Sequence, residues 1–393
     1  MTARPASAAL PWLVAEETAE PLLQPFRTLR YAPDVGSLDD LVAPPVGAIR
    51  EQRRATLLAR HAANVSHALE LGEPARAAAI WRRWRRDGVL VRDDEPAAWF
   101  VEEVFFDSSG VERRRNGVLA HLRVEPHRRG FVLAHETTGA PGRRLWREHM
   151  RRLRACVAPL LVLHGGPSSR PPAREPDLEA ACDGHRARAW RVTDPGGLMA
   201  LLGSMKTPLV IADGHHRYQA AVQLGATARP PRALLAHVVS ARDPGVEACA
   251  LHRLAITSRL PRPLGFRRAP LRGGAREAVA VLERLQLPAS ALVFLRAGAA
   301  ELLVGDGEGA GGPLENDLTT VSRLGLPPLA VTARLDEVED FVAAVPDALA
   351  ILLRRPKVEQ VVAVARAGRT LPQKSTSFEP KPLCGLVFSA FDG

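Results

Sequence analysis

The apolar positions of this chain change period several times, and each change predicts an element. Residues 1–20 keep no period and read as a loose leader, and residues 21–50 are extended and Pro-rich. From 51 to 87 the apolar spacing is helical, with Asp87-Gly88 as a stop. Alternating or continuous apolar runs then predict strands at Ala97–Phe106, Gly117–Val124 and Gly130–Ala134. Arg143–Cys156 is a basic amphipathic helix, Pro159–His164 a buried strand, Ala187–Thr193 another strand and Gly197–Met205 a short helix. Leu209–Ala212 is a buried strand, followed by a helix that begins at His215 or His216 and ends near Gly225. Ala233–Ser240 and Glu247–His252 are strands expected to form a hairpin through Asp243-Pro244-Gly245. After a Pro/Gly-rich boundary at Pro261–Gly274, Ala275–Leu285 is a helix, and strands fall near Ala291–Leu295 and Glu301–Gly305. Helices at Leu335–Ala344 and Val358–Ala367, an irregular tail over 371–382 and a strand Gly385–Ser389 complete the chain. This alternation predicts an α/β fold with mixed sheets.

A chain of 393 residues exceeds one ordinary core, so two or three parts are expected: 21–115, 116–260 and 261–393 behind the leader. The formal charge of +10 admits an anionic partner, nucleic acid included. However, only four residues are lysine, and the arginine runs at 82–86 and 143–154 lie in helical patterns. GC-rich coding and solvated helix faces account for that charge, so nucleic-acid binding is the weakest of the functional readings. Four cysteines without a CxxC pair argue against structural zinc or a disulfide framework. The N-terminal apolar stretch is too short for a signal peptide, and no run nears the ~20 apolar residues of a membrane span. A cytoplasmic protein is expected.

Candidate chemistry concentrates where the buried strand Leu209–Ala212 meets the next helix, at Asp213-Gly214-His215-His216-Arg217. First-turn N–H groups lack intrahelical partners and carry the positive end of the helix dipole, which makes an anion site best suited to phosphate. Gly214 allows close backbone approach. Arg217 can take an oxyanion in a bidentate pair. Asp213 can position a hydroxyl, hold a metal ion or act as a base, and His215 and His216 can donate to phosphate or move a proton. In Ala134-His135-Glu136-Thr137, Glu136 ends a strand and can deprotonate a hydroxyl or bind Mg2+. Lys374, Ser375, Thr376 and Lys381 form a polar tail able to close over an anion. His252-Arg253 stands at a strand end, and Arg27 and Arg30 are further cations. Asp183-Gly184-His185-Arg186 follows an acidic loop and reads as a turn. The glycines of 305–309 lack the Lys-Ser/Thr ending of a phosphate loop.

The run Ala212-Asp213-Gly214-His215-His216-Arg217 resembles the signature of the domain-of-unknown-function 1015 family. Pro25–Tyr31, Val42-Ala43-Pro44-Pro45, His135-Glu136-Thr137, His252-Arg253, and the tail Leu371–Thr376 with Phe378, Pro380-Lys381 and Gly385-Leu386-Val387 resemble its other motifs. The turn is also similar to the nucleotide-phosphate element of the ParB/sulfiredoxin superfamily and its ADP-dependent serine kinases, in which Tyr218 falls inside a His-Arg-Tyr run. That resemblance implies a ParB/sulfiredoxin-like module over 116–260, and ATP or ADP with Mg2+ bound at Gly214, His216, Arg217 and Tyr218. It implies phosphoryl transfer to or from a small hydroxylated, serine-like metabolite, with Asp213, Glu136, His215 and His216 as the catalytic set. The chain departs from the family pattern at Val46-Gly47, Cys156, Ala158, Ser377 and Glu379. Those departures keep a second reading in view, a non-catalytic nucleotide- or metabolite-binding regulator.

Overall fold

A computed structural model describes residues 21–45, 51–107, 110–225, 231–285, 287–307, 309, 311–326 and 329–391. The expected leader and the Val46-Gly47 departure lie outside the described residues. The site-bearing elements, in chain order, are β1 (Glu112–Arg123), β2 (Val132–Ala134), α1 (Ala140–Leu153), β3 (Leu160–His164), β4 (Leu209–Asp213), α2 (His215–Leu224), β5 (Ala233–Ser240), β6 (Ala248–Ala250), β7 (His252–Ile256), α3 (Pro313–Arg323), β8 (Ala348–Leu353) and β9 (Thr376–Phe378).

β4 holds the architecture together because it is apolar on both faces. Leu209 and Ile211 enter one apolar cluster, and Val210 and Ala212 enter another. A strand buried on both sides reads as a continuous apolar run, as here. The large mixed sheet is ordered β2-β4-β3-β5-β1, then Ala98–Phe106, His185–Val192 and Leu178–Cys182. β4 runs parallel to β2 and antiparallel to β3, and β5 runs parallel to β3. The β4–β3 register shifts between Ile211 and Asp213. Such an irregularity bends a strand and re-aims the side chains beyond it. A second sheet is ordered Phe266–Leu271, Ala299–Gly305, Ala291–Arg296, β8, β7, Ala330–Thr332.

The mixed α/β class agrees with the sequence, and several details differ from expectation. The boundary expected at 115/116 falls inside β1, which pairs over 112–119 with residues 99–106. β7, expected in the central part, pairs with β8 and Ala330–Thr332 in the second sheet. The expected hairpin does not form, because β3 and β1 already occupy both edges of β5. Asp243 instead accepts hydrogen bonds from the N–H groups of Gly245 (2.9 Å) and Asn116 (3.2 Å), and β6 goes on to pair with β9 of the tail. The supposed boundary 261–274 contains the strand Phe266–Leu271, which tolerates Pro270 because it lies at a sheet edge. The helix expected at Arg143–Cys156 starts three residues earlier, where Pro141 suits a first turn. It stops at Arg154, whose φ of 57° is left-handed.

The tail is a strap rather than one strand. Beyond β9, Cys384 pairs with Ala43, Phe388 with Leu29, and Ser389–Ala390 with Ala155–Cys156. Upstream, Leu371 donates its N–H to the His135 carbonyl at 2.7 Å and accepts from Thr137 at 3.0 Å. No helix among the described residues is long and apolar enough to cross a membrane.

Candidate functional site

β4 ends at Asp213, and Gly214 takes φ +98° to start α2. A Cβ at Gly214 would lie 2.5 Å from Leu160 Cδ2 and 2.9 Å from Arg217 Nη2, so only glycine fits this corner. Gly214 offers α2 no side-chain cap, and the first N–H groups of the helix stay available at the mouth of the turn. Arg217 is buried beneath them. Its Nη1 donates to the carbonyls of Ala158 (2.9 Å) and Pro159 (2.8 Å), and its Nη2 to Asp213 Oδ2 (2.6 Å). The guanidinium lies 5.4 Å from the Trp146 ring centroid, within cation–π range. Asp213 Oδ1 is held by Lys381 Nζ at 2.8 Å. Burial alone would raise the Asp213 carboxyl; Lys381 and Arg217 outweigh it and hold the group well below the usual carboxylate range. Lys381 is raised in turn, because Asp213 overcomes its own desolvation.

The tail brings this pair together with Glu136. Ser375 N–H donates to Glu136 Oε2 at 3.1 Å. Burial raises the Glu136 pKa, offset in part by the N–H groups of Lys374 and Ser375. His135 Nδ1 bonds the Ile211 carbonyl at 2.9 Å, and its Nε2 bonds Thr376 Oγ1 at 2.8 Å. With a carbonyl fixing the proton on Nδ1, Nε2 accepts from the threonine hydroxyl, and burial takes the ring down to about 4. The His215 ring sits edge-on to His135, centroids 4.6 Å apart. His215 is 8% exposed and its Nε2 has no hydrogen-bond partner among the described residues. Burial pushes His215 well below its ordinary value, so it is neutral at pH 7. His216 Nε2 accepts from Gly139 N–H at 3.1 Å and lies 3.3 Å from Gln373 Nε2. Burial, Lys374 and Arg143 lower its pKa also.

These groups line a cleft of about 800 Å³. Glu136, Asp213, Gly214, His215, His216, Arg217, Lys374, Thr376 and Lys381 are all on its wall. The other candidates lie elsewhere. Tyr218 is fully buried, and its hydroxyl donates to Glu125 O (2.8 Å) and accepts from Glu125 N–H (3.0 Å), so it anchors α2 rather than meeting a ligand. Arg217, although on the wall, gives Nη1 to two carbonyls and Nη2 to Asp213, which fixes its guanidinium at the base of the turn. Arg30 pairs with Asp93 at 2.9 Å and Arg27 is exposed; neither is on the cleft wall. His252 is buried and its Nδ1 accepts from Leu353 N–H at 3.2 Å. His135 ties the tail down from behind, and the Ser375 hydroxyl donates to Pro372 O within the tail. Cys156 and Ala158 are buried behind Arg217 and off the wall, the Cys156 thiol donating to Ala158 O at 3.2 Å. Ser377 and Glu379 are on the wall, joined by a 2.6 Å hydrogen bond. Trp146 and Gln373 were not anticipated. Trp146 sits within a helix dominated by arginine, and Gln373 becomes relevant only once the tail is folded back.

An α/β protein with a polar cleft at the carboxyl end of a buried strand is the class that fold and site define. Residues 23–262 match the family described as "Protein of unknown function (DUF1015)", and the chain belongs to that family. No curated protein matches the chain. Among solved structures, a mutant free serine kinase in complex with AMP is 11% identical with a TM-score of 0.41, covering 66% of this chain and 86% of its own. A conserved hypothetical protein from Pyrococcus furiosus has the same identity and score, covering 70% and 96%. SbnI from Staphylococcus aureus, truncated at its C-terminus, is 13% identical with a TM-score of 0.36, covering 68% and 85%.

Proposed function

We propose that this protein is a nucleotide-dependent phosphotransferase acting on a small hydroxylated metabolite. The observation that carries the reading is the presence of two unlike groups on the wall of one cleft. Glu136 is a carboxylate whose burial makes it more basic than usual. On the wall of the same cleft, the uncapped start of α2 stands beside the Lys381 ammonium. A basic carboxylate suits removal of a hydroxyl proton, and N–H groups with an ammonium suit a phosphate. The resemblance of the Asp213–Tyr218 run to nucleotide-phosphate turns points the same way.

In this reading the phosphates lie against the N–H groups of Gly214–His216, with Lys381 beside them. His215 Nε2, buried without a partner among the described residues, supplies one more polar contact. The acceptor hydroxyl gives its proton to Glu136 while its oxygen attacks the terminal phosphorus. The bond from that phosphorus to the bridging oxygen breaks, and the nucleotide leaves one phosphate shorter. Arg217 and Asp213 act at one remove, by fixing Lys381 and the turn.

ATP or ADP would enter with Mg2+. Asp213 does not fit as a protein ligand for that ion, because Lys381 holds Oδ1 and Arg217 holds Oδ2. Among the described residues no group of three or more His, Cys, Asp or Glu side chains converges. The ion would be carried by the phosphates and their water, with Glu136 the protein carboxylate able to complete its shell.

The test is a thermal-shift panel of ATP, ADP, AMP and inorganic phosphate, with and without Mg2+, on wild type and Lys381→Met, followed by ³¹P NMR of serine and related alcohols with the stabilising nucleotide. A ligand at ~100 times its dissociation constant stabilises by about 2.7 kcal/mol. A nucleotide shift that Lys381→Met loses, with a new phosphate-ester resonance, is the expected result. Absence of any nucleotide shift in wild type would sink the reading.

A further inference from the structure

Arg253 is as hidden as the arginines that hold the fold together, yet it lacks what they have. Arg115 pairs with Glu103 at 2.6 Å and Arg217 with Asp213 at 2.6 Å. Arg253, 7% exposed on β7, makes one long hydrogen bond among the described residues, from Nη1 to Leu251 O at 3.3 Å. No carboxylate among the described residues pairs with it. A buried guanidinium without a counter-charge is costly, and proteins keep such groups satisfied. Glu136 acts on Arg253 electrostatically but does not pair with it, and burial lowers the Arg253 pKa.

Arg253 lines a second cavity of about 520 Å³, roofed by the tail at Pro372–Lys374 and floored by apolar side chains of α3 and β8. Lys374 and Val331 line both this cavity and the main cleft, so the two adjoin. Lys374 takes a left-handed φ of 63°, and its ammonium has no ion pair among the described residues. The pocket thus combines two cations that form no ion pair among the described residues with a hydrocarbon floor, next to the basic carboxylate of the cleft. A planar guanidinium matches a carboxylate in a bidentate pair.

We propose that this pocket binds the acceptor as an aliphatic hydroxy acid. Arg253 and Lys374 hold its carboxylate, and Leu318, Val321, Leu326 and Ile351 cover its hydrocarbon body. The substrate class follows from the reading of Glu136 as the base that meets the acceptor hydroxyl. The pocket itself is open to a test that does not need turnover.

The probes are hexanoate, butanoate, acetate and 1-hexanol, titrated calorimetrically into the full chain, with nucleotide titrated separately. Hexanoate is expected to bind, and affinity to fall roughly fourfold for each methylene removed toward acetate. 1-Hexanol, lacking the charge, is expected to give no saturable heat. Arg253→Met is expected to weaken hexanoate by roughly thirtyfold or more. Lys374→Met, on the exposed tail, should weaken it several-fold and keeps the test open if Arg253→Met does not fold. Failure of hexanoate to bind wild type overturns the proposal, as does equal binding to wild type and Arg253→Met, whatever the nucleotide does. Hexanoate binding with the expected dependence while no nucleotide binds leaves the carboxylate pocket standing and removes only phosphoryl transfer.

Discussion

Lys381→Met isolates the contact on which the site's assembly turns. Lys381 Nζ lies 2.8 Å from Asp213 Oδ1, with the two side chains 13% and 23% exposed. At an effective dielectric of ~20, charges about 3.5 Å apart interact by roughly 5 kcal/mol. Desolvation of the ammonium offsets about half, and Arg217 continues to neutralise Asp213 from its other oxygen. The net loss expected is therefore about 2–3 kcal/mol at pH 7. Its pH dependence follows from the signs of the shifts. Asp213 is depressed, so its contribution is present above the unfolded carboxylate value and is lost as pH falls through the lower folded value. Lys381 is raised, so its contribution is full below the unfolded lysine value and is lost as pH rises through the higher folded one. The gap between wild type and variant should be flat from about pH 5 to pH 9 and close at both extremes. Urea unfolding at pH 7 and at stepped lower pH measures it. A variant as stable as wild type at pH 7, or a gap that persists undiminished at strongly acid pH, would refute an ion pair as the link between tail and turn.

Glu136→Gln should lower phosphoryl transfer by roughly 10²–10⁴ while leaving nucleotide binding intact, as read by turnover against thermal shift. Because burial raises Glu136, its charged form costs stability at neutral pH, so the same variant should be at least as stable as wild type at pH 7, with the difference vanishing below the unfolded glutamate value. Wild-type turnover should accordingly fall as pH drops through the raised Glu136 pKa. Gly214→Ala forces a side chain onto φ +98° and into Leu160, and urea titration should show a loss of roughly 2–4 kcal/mol. Tyr218→Phe removes two hydrogen bonds to Glu125 and should cost about 1–2 kcal/mol without altering the nucleotide shift; a selective loss of binding would return Tyr218 to the ligand site.

What could be read without coordinates was local, and what could not was supplied by distant partners. The apolar run at 209–212 and the glycine after Asp213 predict a strand-turn-helix because both signals lie within a few residues. Arg217 looks like an anion-binding arginine in sequence. Its real partners, the carbonyls of Ala158 and Pro159, are backbone atoms that no residue type announces. Tyr218 misleads for the same reason. The failed hairpin at Asp243-Pro244-Gly245 shows a second limit: the turn chemistry was sound, but both edges of β5 were already occupied.

The tail carries the consequence furthest. Lys381 and Ser375 are more than 150 residues from Asp213 and Glu136, yet each makes a direct bond to one of them. His135 links the end of β4 to Thr376 of β9, and Arg115, paired with Glu103 inside the large sheet, donates to the Pro380 carbonyl at 2.8 Å. The segment bearing both lysines is therefore fixed at each end by groups buried in the sheet that bears Asp213. Ligand affinity should depend on tail docking even where the tail touches no ligand. Thr376→Val, which breaks the His135 bond but keeps the β9 backbone pairing, should lower the nucleotide shift along with stability. If it lowers stability alone, the lysines reach their places without that anchor, and the Asp213 pair by itself suffices to seat the strap.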